Sequence, residues 1–299
     1  MAKAVQNAAP ASHGHSKVEF FCGWSAGCCE TIMLFPQSKL IFRQQLLGLA
    51  VKDAVAQLKS EGINHLYRGL LPPLLMRTTT RSIMFGMYDK YKALLGCVDQ
   101  PGMWKAWTAR HAMAAFLAGM TEATLCPLER IQVLLQTSAY QDRFKNTHEA
   151  FHVVRRYGFT EFYRGYSMIV FRNGCSNVLF FTFRGPLRDL IFQAGHGGTR
   201  THEQAPVIHF FADFISGAVL GATISTIFFP FNVVKHRMQS VLGSKFQSPL
   251  SVFRVVWKER NGSLKELFRG VHLNFTRSLM AWGITNSVYG LLIQMLREQ

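Results

Sequence analysis

Pro36-Gln-Ser-Lys-Leu-Ile-Phe-Arg-Gln-Gln45, Pro127-Leu-Glu-Arg-Ile-Gln-Val-Leu-Leu-Gln136 and Pro230-Phe-Asn-Val-Val-Lys-His-Arg-Met-Gln239 are three copies of one motif, with proline first and glutamine tenth. Downstream of each stands an aromatic-Arg-Gly triplet: Tyr67-Arg68-Gly69, Tyr163-Arg164-Gly165 and Phe268-Arg269-Gly270. The same order recurs three times, so the chain is a tandem array of three units. Their boundaries fall at 18–100, 101–205 and 206–299, after a short tail at 1–17.

Each unit reads alike. An apolar helix runs into the proline, and a polar amphipathic tail follows. Next come a short helix (about 52–60, 147–156 and 249–259), a glycine (Gly62, Gly158, Gly262), the triplet, and a second apolar helix. The prediction is an all-α membrane protein with six transmembrane helices, three short surface helices and pseudo-threefold symmetry. Phe214–Val234 and Ser278–Leu296 carry no charge and are long enough to cross a hydrocarbon core of about 30 Å. The other spans carry Glu30, Arg77, Arg81, Glu122 and Arg172. Charges are costly in lipid, so these side chains should face a watery interior. Parallel repeats of this kind place a binding site on the axis between them. Gly23 and Gly27, Gly119, and Gly217 and Gly221 offer small surfaces for close helix contact.

The charge balance agrees with a membrane. There are 33 basic against 17 acidic residues, a net charge of +16. Such a balance suits nucleic acid, an anionic membrane surface or anionic solutes. Here the basic residues flank or interrupt apolar stretches, which favours lipid and argues against nucleic acid. The tail at 1–17 has no apolar core for a secretory signal and too little arginine for a transit peptide; it reads as disordered. The six cysteines form no CxxC and read as small buried hydrophobes. His148 and His152 read as a solvated helix face, and no metal site is expected. No phosphate-binding glycine loop or nucleophile with a positioned base appears, so an enzyme is not expected; the glycines at Gly195–Gly198 follow no strand.

These motifs resemble the mitochondrial carrier family, whose signature is Pro-x-acid-x-x-base-x-base, then acid-Gly-x4-aromatic-base-Gly. The resemblance covers roughly residues 18–297. It implies a monomeric barrel of six tilted helices in the mitochondrial inner membrane, contacting anionic lipid such as cardiolipin. It further implies both termini toward the intermembrane space, alternating access, and no cofactor. In that family the acid of one odd-numbered helix pairs with the base of the next and closes the matrix side. Here the acid places hold Ser38, Glu129 and Asn232, and the base places hold Ile41, Gln132 and Lys235. The resemblance therefore implies one ion pair, Glu129–Lys235, a Ser38–Gln132 hydrogen bond, and no ion pair between Asn232 and Ile41. Gln45, Gln136 and Gln239 would brace these contacts. The cytoplasmic-side motif is intact only at Tyr88, Asp89 and Lys92, since Phe183-Arg184 and Tyr289-Gly290 depart from it. Gating should thus lean less on salt bridges.

The family's contact points lie eight and nine residues after each triplet arginine. They fall on Met76 and Arg77, Arg172 and Asn173, and Arg277 and Ser278. Guanidinium forks suit phosphate or carboxylate oxygens. Glu122 shares a helix face with Glu129 and would either balance the arginines or attract a cationic part of the solute. Trp282, five residues after Arg277, reads as packing, and Asn286 lies nine after it. The stretches Phe42–Leu46, Tyr67–Pro73, Thr78–Thr80, Phe171–Gly174, Ser176–Phe181 and Asn274–Leu279 are similar to the NAD-carrying animal branch of this family. That implies import of oxidised NAD. The alternatives are another anionic solute (a nucleotide, coenzyme A or a carboxylate) or a non-transporting scaffold on the same fold.

Overall fold

A computed structural model describes residues 13–62, 66–97, 108–140, 143–144, 146–195 and 205–297. The first unit comprises α1 (His13–Leu47), α2 (Val51–Glu61) and α3 (Leu71–Leu94). The second comprises α4 (Ala109–Glu122), α5 (Cys126–Gln136), α6 (Thr147–Arg156) and α7 (Tyr166–Gly195). The third comprises α8 (Ala205–Ile227), α9 (Phe229–Gln239), α10 (Pro249–Glu259), a single turn α11 (Leu264–Leu267) and α12 (Val271–Arg297). The three short helices stand within a residue or so of their predicted places. Of the expected tail, residues 1–12 lie outside the described residues and 13–17 already belong to α1. Gly197 and Gly198 also lie outside them.

The long helices close a ring in the order α1, α3, α4, α7, α8, α12 and back to α1. Among the described residues no single helix is long and apolar enough to cross a membrane; only α8 and α9 pass together, as one span bent by 61°. Glu30 lowers the hydropathy of α1 and Arg172 that of α7, α4 has only 14 residues, and the charge-free run of α12 carries polar Thr285, Asn286 and Ser287. The prolines act unequally. Proline removes one helical hydrogen bond. At Pro127 the chain passes through a 3-10 turn, Ala123–Leu125, before α5 starts. At Pro230 the helix breaks at Phe228. Pro36 is carried inside an unbroken α1.

The triplets join the units. Arg68 donates to the carbonyls of Tyr140, at 3.0 Å, and Phe144 in the second unit. Arg164 reaches Ser244 Oγ at 2.9 Å and the Ser244 carbonyl in the third. Arg269 donates to the Gly48 carbonyl at 2.8 Å in the first. Each triplet glycine has positive φ (+85°, +82° and +95°) and lies against the end of the next unit's proline helix. A Cβ on Gly270 would stand 2.7 Å from Gln44 Oε1. Within each unit a further pair fixes the proline helix to the segment below it: Arg43–Glu61 and Arg130–Glu161, both 2.8 Å, and Arg237–Glu259 at 2.7 Å.

The expected close glycine contact is present at Gly119 and absent at Gly27. Gly27 has nothing within 4 Å of where a Cβ would stand. The tight crossing is α4 on α7, where a Cβ on Gly119 would lie 2.6 Å from the backbone of Asn173 and Gly174. A helix spacing motif names a helix face; whether a neighbour occupies that face depends on the helix's rotation. Gly119→Ala is therefore expected to cost about 1–3 kcal/mol and to lower the melting temperature of the detergent-solubilised protein, while Gly27→Ala leaves it unchanged.

Candidate functional site

Two adjoining cavities of about 290 and 270 Å³ open on the axis of the ring and share Pro73, Glu129, Gln132 and Arg172. The first takes Met76 from α3, Glu122 from α4, and Asn173 from α7. The second, nearer the proline helices, takes Ser38, Ile41 and Gln45 from α1, Gln136 from α5, Asn232 and Lys235 from α9, and Arg277 from α12. Residues from all three units thus meet in one place, as parallel repeats require.

At the proline end, Lys235 Nζ and Glu129 Oε1 form an ion pair with side chains 5% and 15% exposed. This is the pairing the sequence predicts. Ser38 behaves differently. Its hydroxyl donates to the Leu34 carbonyl at 2.8 Å and accepts from Arg277 Nε at 2.6 Å. The expected bond to Gln132 does not form, because the guanidinium occupies that hydroxyl. Ile41 joins an apolar cluster with Val233 and Val234, and the buried Asn232 Oδ1 has no hydrogen-bond partner. The glutamines do not brace the ion pair. Gln239 Nε2 turns to Cys126 Sγ at 4.0 Å, Gln136 Nε2 is unpartnered, and Gln45 offers its backbone carbonyl to Arg260 at 2.9 Å. Gln239 and Gln136 are packed under Gly165 and Gly69, which fixes their stems.

Along the wall, Arg172 Nη1 donates to Asn173 Oδ1 at 3.0 Å, while its buried Nε has no partner. Glu122 Oε2 accepts from Asn177 Nδ2 at 3.5 Å. Arg277 Nη2 lies 3.7 Å from Glu30 Oε1. Ser278 turns back to the Asn274 carbonyl at 2.9 Å and does not line the cavities. The side chains of Arg77, Trp282 and Asn286 lie outside the described residues. Sequence reasoning missed Asn177 and Glu30 as partners. Asn177 stands one turn beyond Asn173, and Glu30 is an acid inside an apolar run, so both carried a signal.

At the opposite end the polar motif is self-contained. Asp89 pairs with Lys92 of the same helix at 3.3 Å. Tyr88 stacks on Phe181 of α7 at 3.7 Å between ring centroids, and Lys92 Nζ lies 5.0 Å from the Tyr88 ring. Arg184 sits 5.5 and 5.8 Å from the rings of Phe85 and Phe180. Aromatic and cation–π contacts hold the seam between α3 and α7 there. Elsewhere, His148 and His152 are exposed, their rings 4.7 Å apart, and all six cysteines are free thiols, with Cys22 and Cys126 buried.

Comparison with known proteins places these features. The family of mitochondrial carrier proteins matches residues 13–98, 105–194 and 207–299. The chain is 45% identical over 278 residues to a human protein named mitochondrial nicotinamide adenine dinucleotide transporter, covering 93% of this chain and 89% of that one. It is 44% identical over 279 residues to the mouse protein of that name, with the same coverage. It is 30% identical over 291 residues to human solute carrier family 25 member 53, covering 95% and 90%. Removing one partner of a buried pair leaves a charge uncompensated. Glu129→Gln and Lys235→Gln are each expected to cost about 3 kcal/mol, and the double variant less than their sum, read by thermal unfolding in detergent.

Proposed function

This chain belongs to the mitochondrial carrier protein family, and from that premise we propose that it imports oxidised NAD across the mitochondrial inner membrane by alternating access. The carrying observation is the convergence of Arg172 and Arg277, from different units, on two adjoining axial cavities, the first of which also holds Glu122. Guanidinium groups match a pyrophosphate, and a carboxylate matches the nicotinamide cation that distinguishes the oxidised form. In this reading Met76, Arg77, Arg172, Asn173 and Arg277 form the solute-binding level, with Glu122 beside it.

The proline end is the matrix gate and is closed. Glu129–Lys235 is its one ion pair; Ser38 with Arg277, and Asn232 against Ile41, complete the ring around it. Tyr88, Asp89 and Lys92 belong to the cytoplasmic gate. Both termini face the intermembrane space, and the protein works as a monomer in contact with anionic lipid such as cardiolipin. Relatives named as nicotinamide adenine dinucleotide transporters support the choice of solute.

Purified protein in liposomes should take up labelled NAD saturably, and unlabelled NAD should block uptake better than NADH, ATP or coenzyme A. Arg172→Ala and Arg277→Ala should each lower uptake at least about tenfold, the loss expected for a charge-assisted contact. Unchanged uptake in both variants would remove these residues from the site. Best inhibition by ATP or coenzyme A would reassign the solute.

A further inference from the structure

Arg277 reaches the cavity already engaged. Its Nε donates to Ser38 Oγ at 2.6 Å, and its Nη2 lies 3.7 Å from Glu30 Oε1. Glu30 is 1% exposed, so its carboxylate acts on the cavity through that guanidinium. The link joins α1 to α12, the helices of the first and third units that lie side by side. Formal charges make the consequence plain. Among the described residues, Glu30, Glu122 and Glu129 stand against Arg172, Lys235 and Arg277, three of each sign. In a basic protein, these described charges on and behind the axial cavities cancel. Removing Glu30 would shift the balance by one positive charge, and attraction would grow with every negative charge on the solute.

We propose that Glu30 is a positioning and specificity-determining residue: by holding Arg277 and offsetting its charge, it restricts the carrier to solutes of low net negative charge. The inference rests on the NAD reading above. Oxidised NAD combines two phosphate charges with one nicotinamide cation and so has a single net negative charge. NADH lacks the cation, and ATP carries several uncompensated charges. The buried acid, paired with one side of the Arg277 fork, therefore acts against the competitors. Ser38, at a place where the general family pattern carries an acid, fixes the other side of the same fork.

The test compares wild type with Glu30→Gln, Glu30→Asp and Ser38→Asp in liposomes. Uptake of labelled NAD is measured against NADH and ATP as inhibitors, with melting temperatures recorded alongside. In Glu30→Gln the ratio of ATP to NAD inhibition constants should fall by about fivefold or more, the size of an ordinary coupling between sites; NADH should follow in the same direction. Glu30→Asp keeps the charge and should keep the wild-type ratio. A folded Glu30→Gln protein with the wild-type ratio overturns the proposal, as does an equal change in Glu30→Asp, which marks a packing role. If Glu30→Gln does not fold, Ser38→Asp decides. It adds a carboxylate to the same guanidinium from the cavity side and should weaken ATP inhibition a further fivefold or so; an unchanged ratio there overturns the proposal. Absence of NAD uptake by wild type would instead count against the NAD reading itself.

Discussion

The guanidinium of each aromatic-Arg-Gly triplet, seated on the carbonyls beyond the end of the next unit's proline helix, is the contact on which the architecture turns. The carbonyls that follow each proline helix can accept from a donor outside their own segment. Arg68, Arg164 and Arg269 supply donors from the neighbouring unit, and the glycine after each lets the two backbones approach. The first unit is joined to the second, the second to the third, and the third to the first. Each triplet reaches into a neighbour, so the array closes on itself. The axial cavity follows from that closure, because the interior faces of the helices have no other place to point.

Threefold geometry does not bring threefold chemistry. At the proline end one seam is ionic (Glu129–Lys235), one is a hydroxyl under a guanidinium (Ser38–Arg277), and one is an amide beside apolar side chains (Asn232 near Ile41). The largely buried ion pair is held by direct attraction. The apolar seam is held by packing and leaves Asn232 Oδ1 without a partner. Different seams can therefore release at different points of a conformational cycle.

The repeat, the triplets and the short helices are legible because each is written in residue order at fixed spacing, and the Glu129–Lys235 pair is what the family resemblance of those motifs implies. Partner choice is less so. The repeat pattern pairs Ser38 with Gln132, yet Arg277 from the third unit takes it, and nothing local to α1 announces a donor arriving from α12. The glutamines recur at the tenth place, but Gln136 and Gln239 pack beneath triplet glycines, a contact set by the ring's closure. The glycine expectation holds unevenly for a related reason: Gly27 shows a small face to open space, whereas Gly119 meets the α7 backbone as expected. Spacing along one helix says which side chains share a face; it does not say what stands opposite.

The seam between α3 and α7 has one more consequence. Tyr88 on Phe181, flanked by Lys92 and Arg184, is made of ring faces and cations close to them. Parting apolar rings exposes surface whose hydration changes heat capacity, and dissolved ions screen such a contact far less than they screen a pair of exposed charges. The opposite end, fastened by Glu129 and Lys235, has an electrostatic component instead. One mouth of the pore therefore parts at a cost in apolar hydration, while the other parts only by uncovering two largely buried charges, which salt screens little.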